Sequence, residues 1–451
     1  MPSNRHEVYL QELPRDWLQV PIKKLGKIFS GGTPSRDISS FWDGTIAWVT
    51  PGELVELENK YIRETREYIS DKGLANSAGR LLPPGSLLIT TRATIGSIAI
   101  AGIPICTNQG FKNVVTDKFH HSLFYYYLLS WLAPEMQRLA SGSTFDEISQ
   151  RDFVKIVVPQ PPLSEQRHIA GILDTIDAHI QHTNQLIAKL KLLKAGLLYK
   201  LLINGLNEHG QLRDPVAHPE QFKASPVGRV PKEWKVQPLV SFAQDTKTSF
   251  VNGPFGSDLL AKEFLKEGIP VIYVRDVKPG VYERISTVHV SANKAESLSF
   301  CNVQYGDVLV AKVGDPPCDA APYFLREKAI ITQDVIRIRV REDVHTSFLS
   351  NLLNSDMSKR AIRAITIIGT RKRVSLTDFK SIELPKPPFE EQVKIVEILD
   401  AIDANIHAEE GQLNKLELYK KGLMHDLLAG RVRTVNVEGC VGDIQYTAPS
   451  I

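Results

Sequence analysis

Cysteine is scarce: Cys106, Cys301, Cys318 and Cys440 are scattered through 451 residues with no Cys-x-x-Cys pair. That pattern indicates neither a zinc site nor a disulfide framework. No uninterrupted apolar run approaches the roughly 18 to 20 residues that span a bilayer. Met1 to Leu10 lacks the basic segment and apolar core of a signal peptide. There is no Gly-x-x-x-x-Gly-Lys-Ser/Thr phosphate loop, which excludes an ATPase of that type. What is present is a 43% apolar content, enough for buried cores and too much for a mainly disordered chain. The expectation is a soluble, cytoplasmic protein with no membrane segment, of about three domains at roughly 150 residues each.

Net charge is only +3 but unevenly spread. Residues 1–160 hold 17 Lys/Arg against 16 Asp/Glu, and 161–210 hold 5 against 4. Residues 211–386 hold 26 against 20, whereas 387–451 hold 6 against 11. The chain as a whole does not announce a polyanionic partner; a basic patch in the third stretch does point to one.

The strongest feature is an internal duplication, and such repeats decide architecture before local propensities do. Pro161-Pro162-Leu163-Ser164-Glu165-Gln166 recurs as Pro387-Pro388-Phe389-Glu390-Glu391-Gln392, and the gapless alignment of 161–202 with 387–428 holds 20 identities in 42 positions. Upstream the repeat is looser. Pro14-Arg15-Asp16-Trp17 answers Pro231-Lys232-Glu233-Trp234, Asp152-Phe153 answers Asp378-Phe379, and Gln109 answers Gln333.

Both well-matched segments read as helices, without proline from Ser164 to Ile203 or from Glu390 to Ala429. The Pro-Pro pair is a start signal, with Ser164 as N-cap of the first helix. Apolar residues step by three and four along Ile169, Ile172, Ile176, Ile180, Ile187, Leu190, Leu197 and Leu201, and again 226 residues on. Both seams are interrupted at matching places, Thr183 and Lys194, then Glu409 and Lys420. Such seams fit a coiled coil, with Ile172, Ile176, Ile180 and Leu190 facing Ile398, Ile402, Ile406 and Leu416. The plainer alternative is that each helix covers only its own domain. Antiparallel packing is expected, because a parallel pair would force the intervening region to span about 60 Å. A rod with a globular domain at each end follows, of class α+β: two strand-rich domains in pseudo-twofold tandem repeat, separated by two long helices packed as an antiparallel coiled coil. Gly171, Gly196, Gly411 and Gly422 weaken the helices locally.

Residues 1–160 and 211–386 carry short β-like runs. They include 87–90, 96–100 and 154–158, then 307–310 and 335–340, punctuated by turn residues. Short helices are expected near His121–Leu132 and Thr346–Arg363. The densest basic cluster is Lys359, Arg360 and Arg363 with Arg371-Lys372-Arg373, just after Gly369-Thr370. A glycine-hinged basic loop can put cations on phosphates or guanine edges; as a solvated surface it would carry no function. The first half offers Thr90-Thr91-Arg92-Ala93-Thr94 and Gly142-Ser143-Thr144, whose neutral hydroxyls and occasional arginine suit base-edge hydrogen bonding.

Enzyme motifs fare poorly. Asp315-Pro316-Pro317-Cys318 is close to the Asp-Pro-Pro-aromatic motif of amino-methyltransferases, but cysteine replaces the ring that stacks on a flipped base. Asn252-Gly253-Pro254-Phe255 has glycine where that motif needs proline. Asp43 with Glu58-Asn59-Lys60 is a loose nuclease-like spacing, and His179 with His182 lacks further ligands. No catalytic residue and no metal site are assigned.

Ser30-Gly31-Gly32-Thr33-Pro34-Ser35, Phe41-Trp42, Trp48-Val49-Thr50-Pro51, Thr91-Arg92-Ala93-Thr94-Ile95-Gly96, Thr107-Asn108-Gln109-Gly110-Phe111 and Gly142-Ser143-Thr144 occur in order before the duplicated Pro-Pro-x-x-Glu-Gln helix. In this order they resemble the specificity subunits of type I restriction–modification systems, over most of the chain. The second half departs more, keeping Gly369-Thr370, Asp378-Phe379 and the closing motif. The resemblance implies target recognition domains at 1–160 and 211–386, helical spacers at 161–210 and 387–432, and a tail at 433–451 that either frays or pairs with the N-terminal segment. It implies a bipartite double-stranded DNA target, two adenine-methyltransferase subunits and two restriction–translocation subunits as partners. S-adenosylmethionine, ATP and Mg²⁺ would sit on those partners, with no cofactor in this chain. Two other classes stay open on the residues alone: a stand-alone DNA-modifying enzyme, and a coiled-coil adaptor with no DNA role. The expected DNA-binding residues are Thr91, Arg92, Thr94, Ser143 and Thr144 in the first domain, and Lys312, Thr370, Arg371, Lys372 and Arg373 in the second. Asp174, Asp177, Asp400 and Asp403, read as lying off the seam, either dock the methyltransferase or are solvated.

Overall fold

The computed structural model describes residues 9–57, 59–140, 147–367 and 372–434. The chain divides into two compact units, Met1–Asn184 with Gly411–Ile451, and Gln185–Glu410.

In the first unit a five-stranded sheet runs in the order Gly26–Ser30, Phe111–Thr116, Leu87–Thr90, Ile98–Ala101, Tyr61–Ile62. Its middle strand is buried on both faces, and the strand period of two sorts its side chains. Leu87 and Ile89 pack with Phe124, Tyr127 and Leu128 of the helix Ser122–Trp131, while Leu88 packs with Ala47, Val49 and Ile105 of a three-stranded sheet. That smaller sheet runs Glu67–Ile69, Trp42–Val49, Ile105–Thr107. The expected strand at 154–158 begins only at Val157, because Gln150–Phe153 is a helical turn capped by Ser149.

The second unit repeats the plan. One four-stranded sheet runs Phe250–Asn252, Val335–Arg339, Asp307–Ala311, Asp319–Pro322; another runs His289–Val290, Ile269–Ile272, Ala329–Ile331, Asn302–Val303. Val308 and Val310 face one core with Phe348, Leu349 and Leu352, and Leu309 and Ala311 face the other. The helical stretch expected near Thr346–Arg363 is made of two short helices, Thr346–Asn354 and Asp356–Ala364. Ser355 ends the first in an extended conformation and accepts the Ser358 N–H as N-cap of the second.

The two long helices are Leu163–Asn204 and Phe389–Leu428, each unbroken through its glycines. The first starts at Leu163, so Ser164 is inside it rather than capping it. Within the second unit Lys191 pairs with Glu410, Lys194 with Asp403, and the Leu206 N–H with Glu391. Numbers rise on one helix as they fall on the other: the packing is antiparallel. In the first unit Ile169, Ala170 and Leu173 share a core with Leu427 and Leu428, the same antiparallel sense.

The seam differs in detail from expectation. Ile172 is 39% exposed, and Leu173, fully buried, takes the inward step. With Leu173 the spacing from Ile169 through Ile176, Ile180, Thr183, Ile187, Leu190 and Lys194 alternates four and three without a gap, the heptad rhythm. Ile176 and Ile406 are buried, whereas Ile180, Leu190, Ile398, Ile402 and Leu416 are half-buried. The polar interruptions are interhelix ion pairs. Lys194 reaches Asp403 at 2.6 Å in one unit, and Lys420 reaches Asp177 at 2.6 Å in the other. Asp177 and Asp403 therefore face the opposing helix instead of lying on an outer face.

The duplicated Pro-Pro-x-x-Glu-Gln is a socket as well as a helix start. In the first unit the buried Glu165 accepts the Trp17 indole N–H at 3.0 Å and the Arg433 guanidinium at 2.8 Å. In the second, Glu391 accepts Trp234 at 3.0 Å and Arg213 at 2.7 Å. Gln166 accepts the His121 N–H and donates to the Pro161 carbonyl; Gln392 does the same with His345 and Pro387. The glutamine thereby fastens the start of each domain helix to the long helix. In the described part of the tail, Arg433 also pairs with Asp16, and Arg431 with Glu12, which ties residues 431–433 to the N-terminal segment.

Candidate nucleic-acid interface

Each unit gathers several loops at one end of its sheets. In the first unit the Gly32 N–H donates to the Thr107 carbonyl, and the Thr91 N–H donates to Gly110. The Thr94 hydroxyl reaches the Pro51 carbonyl at 3.5 Å. Gly31 lies so close to Thr107 and Asn108 that a β-carbon there would overlap their backbone oxygens, which is why a larger residue does not fit. Four loops that the sequence separates by up to about 80 residues thus meet.

Thr91 is fully buried and its hydroxyl also points to the Gly110 carbonyl, so it shapes the loop. Thr94 is half-buried; Arg92 is exposed. Ala93 between them has φ of 63°, in the left-handed region, so the loop turns sharply there. The backbone of Arg92 makes an isolated antiparallel β-bridge with that of Glu147. Ser143 and Thr144 lie outside the described residues. The buried Lys112, which the sequence reading passed over, sits at the same end, with burial holding its ammonium below the usual lysine range against the opposing pull of Glu147. Only its place beside Gln109-Gly110-Phe111 could have signalled it.

The second unit places its predicted residues equivalently. The Lys312 N–H donates to the Asp334 carbonyl, Val313 bridges Arg373, and the Gly314 N–H donates to Lys372. Lys372 and Arg373 are exposed, and Lys372 pairs with the open carboxylate of Asp315 at 2.8 Å. An ion pair that exposed contributes roughly 0–1 kcal/mol, little enough for a phosphate to displace it. Thr370 and Arg371 lie outside the described residues. Lys359, read as part of the basic cluster, is buried on Asp319 at 2.7 Å and on the Pro317 carbonyl, so it braces the loop from within. Arg360 and Arg363 remain exposed.

The methyltransferase-like Asp315-Pro316-Pro317-Cys318 run is built into this brace. Cys318 is buried, with burial pushing its thiol up to about 12. Among the described residues no cluster of three or more His, Cys, Asp or Glu is placed to hold a metal ion, and no helix is long and apolar enough to cross a membrane.

The model for the family "Type I restriction modification DNA specificity domain" matches residues 14–192 and 259–418, more than half of the chain. The specificity subunit of the MjaVIII type I restriction enzyme of Methanocaldococcus jannaschii is 25% identical over 444 residues, covering 96% of this chain and 97% of that protein. The MjaIX specificity subunit of the same organism is 34% identical over 191 residues, 41% of this chain, and that match spans 44% of the relative's length. Two solved structures share the fold. One, from work on complex assembly and conformational transition of the type I R-M system, superposes with a TM-score of 0.57 at 18% identity over 93% of this chain and 99% of that one. The other, a type I S subunit from M. genitalium, gives 0.51 at 15% identity over 92% and 98%. A twofold match to the specificity domain, on a duplicated scaffold whose loop ends differ, has one meaning: the chain belongs to the family of type I restriction–modification DNA specificity subunits.

Proposed function

We propose that the two loop clusters read the two halves of a split double-stranded DNA site, one each, while the chain serves as a non-catalytic scaffold. The observation that supports this is the contrast within the duplication: buried sockets repeated residue for residue, beside loop ends that carry Thr91, Arg92 and Thr94 in one unit and Lys312, Lys372 and Arg373 in the other. Unlike readers on like supports suit an asymmetric bipartite target. The recognition domains are assigned to 1–160 and 211–386, the spacers to 161–210 and 387–432, and residues 433–451 to the tail. The partners are two adenine-methyltransferase subunits and two restriction–translocation subunits, which carry S-adenosylmethionine, ATP and Mg²⁺, in the cytoplasm.

The test is single-molecule sequencing of methylated adenines in DNA from a methylation-free host expressing this chain with its methyltransferase subunit, beside a host lacking this chain. A split motif that depends on the chain is the expected outcome, and exchanging residues 1–160 should alter one half only. A stable purified complex that leaves no motif would overturn the reading.

A further inference from the structure

The loop clusters differ in whether they are tied shut. In the first unit Thr33, two residues after Gly31, donates its hydroxyl to the Gln109 side chain at 2.5 Å. In the second unit Gly253 makes the same close approach, to Ile331 and Thr332, which identifies Phe255 as the counterpart of Thr33 and Gln333 as that of Gln109. Phenylalanine has no hydroxyl to give. Phe255 stands 67% exposed, and the Gln333 side chain is exposed without a hydrogen-bond partner among the described residues. Gln333 lines a cleft of about 630 Å³, together with Pro254 and Gly256 on either side of Phe255 in the chain.

The far wall has changed in the same direction. The turn Thr50-Pro51-Gly52-Glu53, closed by the Glu53 carboxylate on the Thr50 N–H, corresponds to Tyr273-Val274-Arg275-Asp276, closed by Asp276 on the Tyr273 N–H. Where the first unit has glycine, the second has an exposed arginine. The Arg275 Nε donates to the Ser286 hydroxyl at 2.8 Å, and its guanidinium lies 5.4 Å from the Tyr273 ring centre. One edge of the guanidinium is held, and its two terminal nitrogens have no partner among the described residues. The floor connects to the basic loop, because the Asp334 carbonyl accepts the Lys312 N–H at 2.8 Å.

A held guanidinium fork and a free carboxamide on one cleft, beside cations, form a donor and acceptor set suited to base edges in a major groove. Arginine pairs in bidentate fashion with guanine O6 and N7, and glutamine with adenine N7 and N6. We propose that this cleft reads bases for the second recognition domain, Arg275 taking a guanine and Gln333 an adenine of one half-site. The proposal rests on the reading that the chain binds split DNA sites, and adds a set of specificity residues that the basic loop does not contain.

The test uses the full chain assembled with its methyltransferase subunit, selecting from duplexes of random sequence. The half-site belonging to residues 211–386 is identified by exchanging residues 1–160. Arg275→Ala should relax one guanine position in that half by about tenfold or more, leaving the other half unchanged. Arg275→Lys keeps the charge and a donor for Ser286 yet should relax the same position, which separates lost readout from lost folding. Gln333→Ala should relax a different, adenine position. An unaltered half-site in these variants overturns the proposal, as does an equal loss of affinity for all sequences, which marks a phosphate contact or a cleft used for something else. Failure of the unsubstituted complex to select any sequence overturns the underlying reading instead.

Discussion

The two units support different loops on the same buried joints. Glu165 with Trp17, Arg433 and Asp16 is matched by Glu391 with Trp234, Arg213 and Glu233. Such a joint resists change because removing one member strands the others in a medium that cannot solvate them. Loop ends carry no such penalty. Replacing an exposed Thr33 by Phe255, or Gly52 by Arg275, leaves no buried group unpaired, so those positions can drift with the DNA they meet. The ion pairs of the long helices fall between these extremes. Asp177 receives Lys420, Lys60 and the Tyr127 hydroxyl, whereas Asp403 receives Lys194 at its seam position.

Several substitutions test how far this equivalence holds. Glu391→Ala should have the largest effect, about 3–5 kcal/mol, because the buried Arg213 keeps only the exposed Glu233 while the Trp234 indole and the Leu206 N–H lose their acceptor. Glu165→Ala should lose only about 2 kcal/mol, since Arg433 is about one-third exposed and keeps Asp16. Urea unfolding measures both, and equal losses would mean that burial of the arginine does not set the difference.

At the loop ends, Arg371→Ala with Arg373→Ala should weaken DNA binding about tenfold and flatten its salt dependence, with methyltransferase assembly intact. Arg92→Ala, a single cation in the first unit, should do less. DNA affinity of the double variant indistinguishable from the parent, in titrations at two salt concentrations, would remove the basic loop from the interface.

Between the long helices, Lys194→Met should cost about 1 kcal/mol and Lys420→Met only a few tenths, because Asp177 keeps Lys60 and Tyr127. The reverse order in thermal unfolding would show that the Lys60 cluster is not a substitute partner.

The smallest effect concerns the paired helix starts. Burial, and then Arg167, holds His121 below the usual histidine value; burial also lowers His345, where Asp400 and Glu397 pull the other way. The folded state therefore binds these protons less readily than the unfolded chain. Their stabilising contribution is complete above the unfolded value near 6.5 and is lost as pH falls toward each folded value. His121→Asn should flatten the acid limb of the stability profile more than His345→Asn does.

Much of this architecture is legible in the residues because duplication leaves a repeat that needs no structure to detect. The aligned Pro-Pro-x-x-Glu-Gln segments, the long proline-free stretches and the three–four spacing carry helix, pairing and symmetry together. Legibility fails where one residue's meaning depends on a distant one. Ile172 and Leu173 are adjacent and equally apolar, and periodicity alone did not separate them; Leu173 is the one buried, in a core shared with Phe124, Leu128 and Leu427. Lys359 sits in a basic stretch, yet the Asp319 carboxylate buries it. Glu165 reads as a helix start until Trp17, 148 residues earlier, donates to it.

By itself the sequence determined that the chain is duplicated, mixed in structure and joined by long amphipathic helices, because periodicity and repetition are local properties of the residue order. Only the tertiary structure decided which polar side chains are joints and which are free. A charged group's role depends on whether a partner 20 to 419 residues away reaches it or leaves it to solvent, and spacing in the sequence does not encode that distance.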